Sequence, residues 1–463
     1  MAELTFARPS ASSPTITDPG PLIWVVCIIL AGACFWILPF VLQMGVGAVA
    51  LGLIFLLVPL LWREGYTWVL LWLAPIAAFD PMPTEALRTI KYVLVAAALF
   101  IALLKRRGEP AAYSHPRDPV LWAGIGLLMW IWFRAILGGS PLAGAAEAGR
   151  ITLVAALIYM WLSEPARAGG RRRWFVLWML MAMYQVAICF VEASAFGHLR
   201  SYGTFPNANA MGTYFLLTIV PALAAAMTAR TRSERLLLYI VVAALAAALY
   251  LTGSRAAWLS TTVALIAVAI VARHWRFVAL GLVGVAALVA LYATSPIARL
   301  ATDAALRLQT GLTHRPLLWE AADRARDRAP VLGYGLEAAG EPMAAEARYP
   351  SPVHREVVSE MMIKGSPHNF YRELQLETGA IGLILLGVLI GYVLRATWRA
   401  RRSTDRWRRV YGVAAFSTTL AILVHAYFER SVFIGAMSSA VFYWLLVAQS
   451  LRPDDPGTSS AHT

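Results

Sequence analysis

Charge is what this chain has least of. Asp, Glu, Lys and Arg make up 14% of its 463 residues, against about a quarter in a typical soluble protein. A water-soluble globular domain is thereby excluded. Cysteine is scarce too: Cys27, Cys34 and Cys189 each fall inside an apolar run, with no CxxC pair and no His/Cys cluster. That rules out a disulfide framework or a zinc site and leaves packed or lipid-facing thiols. There is no GxxxxGK[ST], no glycine-rich nucleotide loop, no HExxH and no DxD or DxN pair. Nucleotide-driven and metal-dependent chemistries lose their usual signatures, and no cofactor or metal is expected. Acidic residues number 26 against 40 basic ones, a formal net charge of +14. The basic residues mostly sit in short loops between apolar runs, so they encode topology, and no nucleic-acid partner is expected. Residues 1–20 are polar with Pro and Ser, so no cleavable signal peptide is expected and the first span is expected to act as its own insertion signal.

What is present is apolar sequence, 59% of the chain, with 17 Trp, 17 Tyr and 18 Phe suited to membrane interfaces. The expected fold is an all-α polytopic membrane protein. About fourteen candidate spans meet the length rule of about 17–25 residues or come near it. They lie near 22–42, 44–62, 66–79, 90–104, 119–138, 150–163, 174–196, 208–228, 236–252, 256–272, 277–293, 372–394, 410–428 and 431–449. The third and sixth are short enough to be tilted or re-entrant, so the expected count is about 12–14. Basic clusters follow every even-numbered span, among them Lys105 to Arg107, Arg171 to Arg173, Arg230 to Arg235 and Arg395 to Arg409. The positive-inside rule then puts both termini in the cytoplasm and the odd-numbered gaps outside. The expected organisation is a cytoplasmic tail at 1–20, membrane helices at 21–293 and a large outer loop at 294–369. Membrane helices return at 370–450, followed by a cytoplasmic tail at 451–463.

That outer loop, between the eleventh and twelfth spans, is the one long polar excursion. In RPLLWEAADRARDR, Arg315 to Arg328, the residues Leu318, Ala321, Ala322 and Ala325 recur at helical spacing. The pattern predicts an amphipathic helix lying on the membrane domain. Pro330 should stop it, and VLGYGL should turn at Gly333 and Gly335.

The candidate chemistry collects on the outer side. Ser366-Pro367-His368-Asn369 has the form of a helix start, with Ser366 as N-cap and Pro367 at the first helical position. His368 would then sit in the first turn, where free N–H groups favour a neutral, proton-accepting imidazole. Arg372, four residues on, would share its face, and Glu373 and Glu377 would pair with Arg372. Arg255 follows Thr252-Gly253-Ser254, an expected tight turn in which Gly253 ends one span and Ser254 caps the next. Its guanidinium and that of Arg315 offer forked donors to a diphosphate, with His368 as a base. The bland alternatives are an interfacial capping histidine, a snorkelling Arg255 and a solvated Arg315. Arg88, Lys91, Arg150, Arg200 and Arg430 also fall on the outside against the positive-inside bias, which implies some other requirement for them.

Three stretches in this order resemble the O-antigen ligase and O-antigen polymerase superfamily. They are TGSRAAWL at Thr252 to Leu259, RPLLWEAADRARDRAPVLGYG at Arg315 to Gly335, and HNFYRELQLETGAIGL at His368 to Leu383; NANAMGTYF after Arg200 is similar as well. The resemblance implies a metal-independent, inverting glycosyltransferase of the bacterial inner membrane with its active site facing the periplasm. Its donor would be an undecaprenyl-diphosphate-linked glycan. Its acceptor would be lipid A-core for a ligase, or a second lipid-linked glycan for a polymerase of O-antigen or exopolysaccharide. In that scheme His368 is the general base, Arg255 and Arg315 bind the diphosphate, Arg200 is a further contact, and Asn369 orients His368. Transfer to a protein and a lipid-linked glycan transporter are the remaining alternatives. The transporter reading lacks charges strung through its spans beyond Arg134.

Overall fold

The computed structural model describes residues 118–163, 170–195, 200–203, 205, 207–273, 294, 315–348, 366–430, 433 and 437–453. The expected spans near 22–42, 44–62, 66–79, 90–104 and 277–293 lie outside these residues, as do Arg88 and Lys91. Among the described residues every regular element is a helix. They run α1 Pro119–Ile136, α2 Pro141–Leu162, α3 Gly170–Ala195, α4 Ala208–Met227, α5 Arg232–Thr252, α6 Arg255–Val271, α7 Arg315–Arg328, α8 Gly340–Ala345, α9 Phe370–Ala400, α10 Arg406–His425 and α11 Met437–Leu451. The chain is an all-α polytopic membrane protein. Six of these helices, α1 to α5 and α9, are long and apolar enough to cross a bilayer, and α6 and the apolar part of α11 are shorter. The span expected at 150–163 is not a short re-entrant piece. It extends back to Pro141 and runs 22 residues as α2.

Helix α4 is the centre of the bundle. Of its most apolar 18-residue window 94% is buried, against 22–44% for the other five long helices. Helices α3, α5, α6, α10 and α11 surround it. Two features of its sequence permit this. Thr213 and Thr218 satisfy their hydroxyls on carbonyls four residues back, at 2.9 and 2.8 Å, so they cost little inside a dry bundle. Gly212 lets Ser254 and Ala257 of the neighbouring turn and helix approach closely; an added Cβ would lie 2.8 Å from Ala257 Cβ. Outward faces such as Met129, Leu236, Leu237 and Ile384 stay exposed, each more than 60%. In a chain this apolar, that is a lipid-facing surface.

The two ends of the bundle differ. At one end Arg171 is buried, ion-paired to Asp405 at 2.6 Å and donating to the carbonyls of Gln449, Arg452 and Pro453. Arg406 meets Glu234 at 2.6 Å nearby. The basic loops around 171, 230 and 405 are thereby gathered together. The other end receives α7, whose buried face is Leu318, Ala321, Ala322 and Ala325, the four residues that the helical spacing predicts.

Helix α9 is broken. Gly379 has φ 68° and ψ −171°, which frees carbonyls of the preceding turn. The loop after α7 takes them up: Tyr334 N donates to Leu376 O at 2.7 Å and Gly335 N to Glu377 O at 2.9 Å. Trp130 Nε1 donates to Thr378 O, and Ala380 N reaches back to Pro330 O, both at 2.9 Å. A Cβ on Gly379 would stand 1.9 Å from Val331 O, so the close approach requires glycine. The VLGYG and ETG stretches are thus two halves of one junction, and it fixes the first segment of α9. Arg134 belongs to the same junction: it lies in the last turn of α1 and donates to Gly333 O at 2.9 Å.

Candidate active site

The central helix begins with Asn207 as N-cap, its side chain accepting from Ala210 N at 2.9 Å. That start puts Asn209 at the α7 end of the bundle. Asn209 Oδ1 accepts from Arg200 Nη2 at 2.9 Å, and its Nδ2 donates to Glu429 Oε1 at 2.8 Å. Arg200 is held in turn by Thr252 O, 2.9 Å from its Nε, and lies against Gly253. The turn is built as its sequence predicts: Gly253 is the left-handed cap of α5 and Ser254 is the N-cap of α6, although the Ser254 hydroxyl makes no capping hydrogen bond. Arg255 follows as the first residue of α6 and is exposed.

Three elements converge on Glu429. Arg315, the first residue of α7, places Nη2 2.5 Å from Glu429 Oε1. His368 places Nδ1 3.7 Å from Glu429 Oε2, with the imidazole 42% exposed and the carboxylate 11%. Asn209 supplies the third contact. Burial alone would raise the pKa of Glu429. The contact with His368 and the charge of Arg315 outweigh it and hold the carboxyl below its ordinary value of 4.5. His425, one turn before Glu429, is buried with Nε2 3.3 Å from Thr213 Oγ1.

The helix start differs from the sequence expectation. Asn369, not Ser366, is the N-cap of α9, its Oδ1 accepting from Arg372 N at 3.2 Å. His368 therefore precedes the helix, in the left-handed region at φ 49°. Ser366 and Pro367 signal a start with equal force locally. Asn369 prevails because its amide also donates to Tyr427 O at 2.9 Å, while Phe370 N donates to Ala426 O at 2.9 Å. Asn369 thus fixes the main chain beside His368, with its side chain bonded to backbone at Tyr427 O and Arg372 N.

The expected pairing of Glu373 and Glu377 with Arg372 is also replaced. Arg372 makes a forked pair with Asp323 of α7, both bonds 3.0 Å, and lies 5.0 Å from the centre of the Trp319 ring. Its effect is to clamp α7, and hence Arg315, onto α9. Trp319 Nε1 adds a bond to Pro367 O at 3.0 Å. Glu373 pairs with Arg430, which also lies 3.6 Å from Glu337, and Glu377 accepts from Glu337 N. The charge of Glu373, foremost, holds Arg430 above its ordinary pKa. Glu147, Glu373, Glu377 and Arg430 line a cleft beside the Glu429 cluster. The outward arginines 150 and 430 thus have carboxylate partners, Arg150 meeting Glu147 at 2.6 Å. Among the described residues no three His, Cys, Asp or Glu side chains are gathered as metal ligands.

The structure therefore brings Arg315 and His368 to one carboxylate, with Arg200 linked to it through Asn209. It sets Arg255 on the turn whose carbonyl anchors Arg200. The sequence assigns neither Glu429 nor Asn209 a role; the NANAMGTYF stretch is the available signal for the latter. No curated protein matches the chain. Residues 239–387 match the family model described as O-antigen ligase, a segment that contains Arg255, Arg315, His368, Asn369 and Arg372 and leaves Arg200, Asn209 and Glu429 outside. The chain thus carries a domain of the O-antigen ligase family across residues 239–387.

Proposed function

We propose that the protein is a glycosyltransferase that moves a glycan from undecaprenyl diphosphate to a sugar hydroxyl of lipid A-core. It works from the inner membrane, with the Glu429 end of the bundle facing the periplasm. The positive-inside rule supports that orientation, since the basic loops gather at the Arg171–Asp405 end. One observation carries the reading: a base and a phosphate-binding guanidinium, His368 and Arg315, meet at a single carboxylate although 53 residues separate them in the sequence.

In this reading Nδ1 of His368 faces Glu429, which leaves Nε2 to the acceptor hydroxyl. As that hydroxyl loses its proton to Nε2, its oxygen attacks the anomeric carbon from the side opposite the leaving diphosphate. The carbon–oxygen bond to phosphate breaks, and the configuration inverts. Arg315 and Arg255 stabilise the charge that builds on the diphosphate, where forked donors count most. Arg200 lends a further positive charge. Arg372 and Asn369 act through placement, the first by clamping α7 and the second by fixing the His368 turn. No step in this scheme draws on a metal ion.

The test is transfer by purified protein in nanodiscs containing an undecaprenyl-diphosphate-linked glycan, with EDTA present. Lipid A-core is offered in one arm and a second lipid-linked repeat in the other. Glycosylated lipid A-core supports the reading. Longer lipid-linked chains instead would make the protein a polymerase with the same site, and no product in either arm would overturn the assignment.

A further inference from the structure

Glu429 lies outside the matched family segment, yet it is the group on which that segment's candidate residues converge. We propose that Glu429 is a positioning residue of the transfer reaction. It registers His368 against Arg315, and it occupies the anion position at Arg315 that the donor diphosphate must share. The proposal rests on the roles given to His368 and Arg315 above.

Its two oxygens are used differently. Oε1 accepts from both strong donors, Arg315 Nη2 at 2.5 Å and Asn209 Nδ2 at 2.8 Å. Oε2 is the oxygen that faces His368 Nδ1. The carboxylate beside the imidazole is nearly buried, while the ring itself is 42% exposed. Their relation is set by main chain as well as by side chains. The turn 426–429 is tied to the His368 segment through Phe370 N to Ala426 O and Asn369 Nδ2 to Tyr427 O. It is tied to α10 through Glu429 N to His425 O at 3.1 Å. A carboxylate held this way fixes the ring and keeps one nitrogen engaged, the arrangement by which a base is oriented for its substrate. Through Asn209 it also reaches Arg200.

Glu429→Gln keeps size and an acceptor for Asn209 but removes the charge. Two effects of opposite sign follow. Donor binding holds or tightens, because Arg315 no longer shares its charge with a protein anion. Turnover falls, by about ten-fold or more, because the orientation of the base is lost. A merely structural defect would weaken both.

The experiment measures undecaprenyl diphosphate binding to the full chain in nanodiscs, with undecaprenol as the uncharged control, alongside kcat for glycan transfer. The proteins are the native chain, Glu429→Gln, His368→Ala and the double variant. The expected result is reduced kcat with undiminished binding in Glu429→Gln, and no further loss when Glu429→Gln is added to His368→Ala. Native kcat in Glu429→Gln, or full multiplication of the two losses in the double variant, would overturn the proposal. If the glutamine variant does not fold, Glu429→Asp in the same cycle decides, since it keeps the charge but withdraws it from His368. Failure of the native chain to transfer, or native turnover in His368→Ala, would instead sink the underlying assignment.

Discussion

Replacing Gly379 with alanine tests how the site is held. The residue combines φ 68° with ψ −171°, a region that side chains with a Cβ almost never adopt, and forcing one there costs about 1–3 kcal/mol. The new Cβ would also stand 1.9 Å from Val331 O and 2.6 Å from Leu332 N, both backbone atoms with little freedom to yield. Relief requires the 330–335 loop to withdraw from α9. That breaks Tyr334 N to Leu376 O, Gly335 N to Glu377 O and Ala380 N to Pro330 O. At about 1 kcal/mol net for each bond, the whole penalty comes to about 4–6 kcal/mol. The same loop anchors the end of α7, so Arg315 would lose its register against His368. Gly379→Ala should therefore unfold at a distinctly lower temperature in detergent and lose transfer activity together. A variant with native thermal stability and native turnover would refute the junction as described.

The other predictions concern separate parts of the molecule. Arg171→Met strands Asp405 in a buried position and should cost about 3–5 kcal/mol of stability, read as a lower unfolding temperature. The kcat of the protein that remains folded should be unchanged, because the proposed transfer site is at the other end. Arg372→Lys keeps the charge but loses the fork to Asp323. It should lower kcat several-fold, about the effect of one weakened clamp, with Asp323→Asn behaving alike. Glu429 gives a pH signature. Its folded-state pKa lies below 4.5, so its stabilisation is present above pH 4.5 and is lost as pH falls through the lower folded value. As pH is lowered below 4.5 the native chain should lose more thermal stability than Glu429→Gln; equal losses would contradict the pairing.

The spans were legible because a membrane imposes one demand, an apolar run of sufficient length, and nine expected runs coincide with helices among the described residues. The buried face of α7 was legible for a related reason, since four apolar residues at helical spacing leave one way to pack. The break at Gly379 was not. A glycine inside an apolar run gives no local sign that Val331 O approaches it from a loop 48 residues earlier. The His368 turn misled for the same reason. Ser366 and Asn369 are both good caps, and the choice between them is made by Ala426 and Tyr427, distant in sequence. Arg372 and Glu373 are neighbours in the chain, but each found a better partner on another element, Asp323 and Arg430. Glu429 shows the limit most clearly. Its partners come from α4, α7 and the His368 turn, and no spacing in the chain connects them.

The central claim is that His368 performs the proton transfer in glycan transfer, and single-turnover transfer by His368→Ala tests it most directly. Donor binding to undecaprenyl diphosphate would be measured on the same nanodisc sample. Native donor binding is expected, with transfer reduced by about two orders of magnitude or more. Transfer at the native rate in that variant would contradict it.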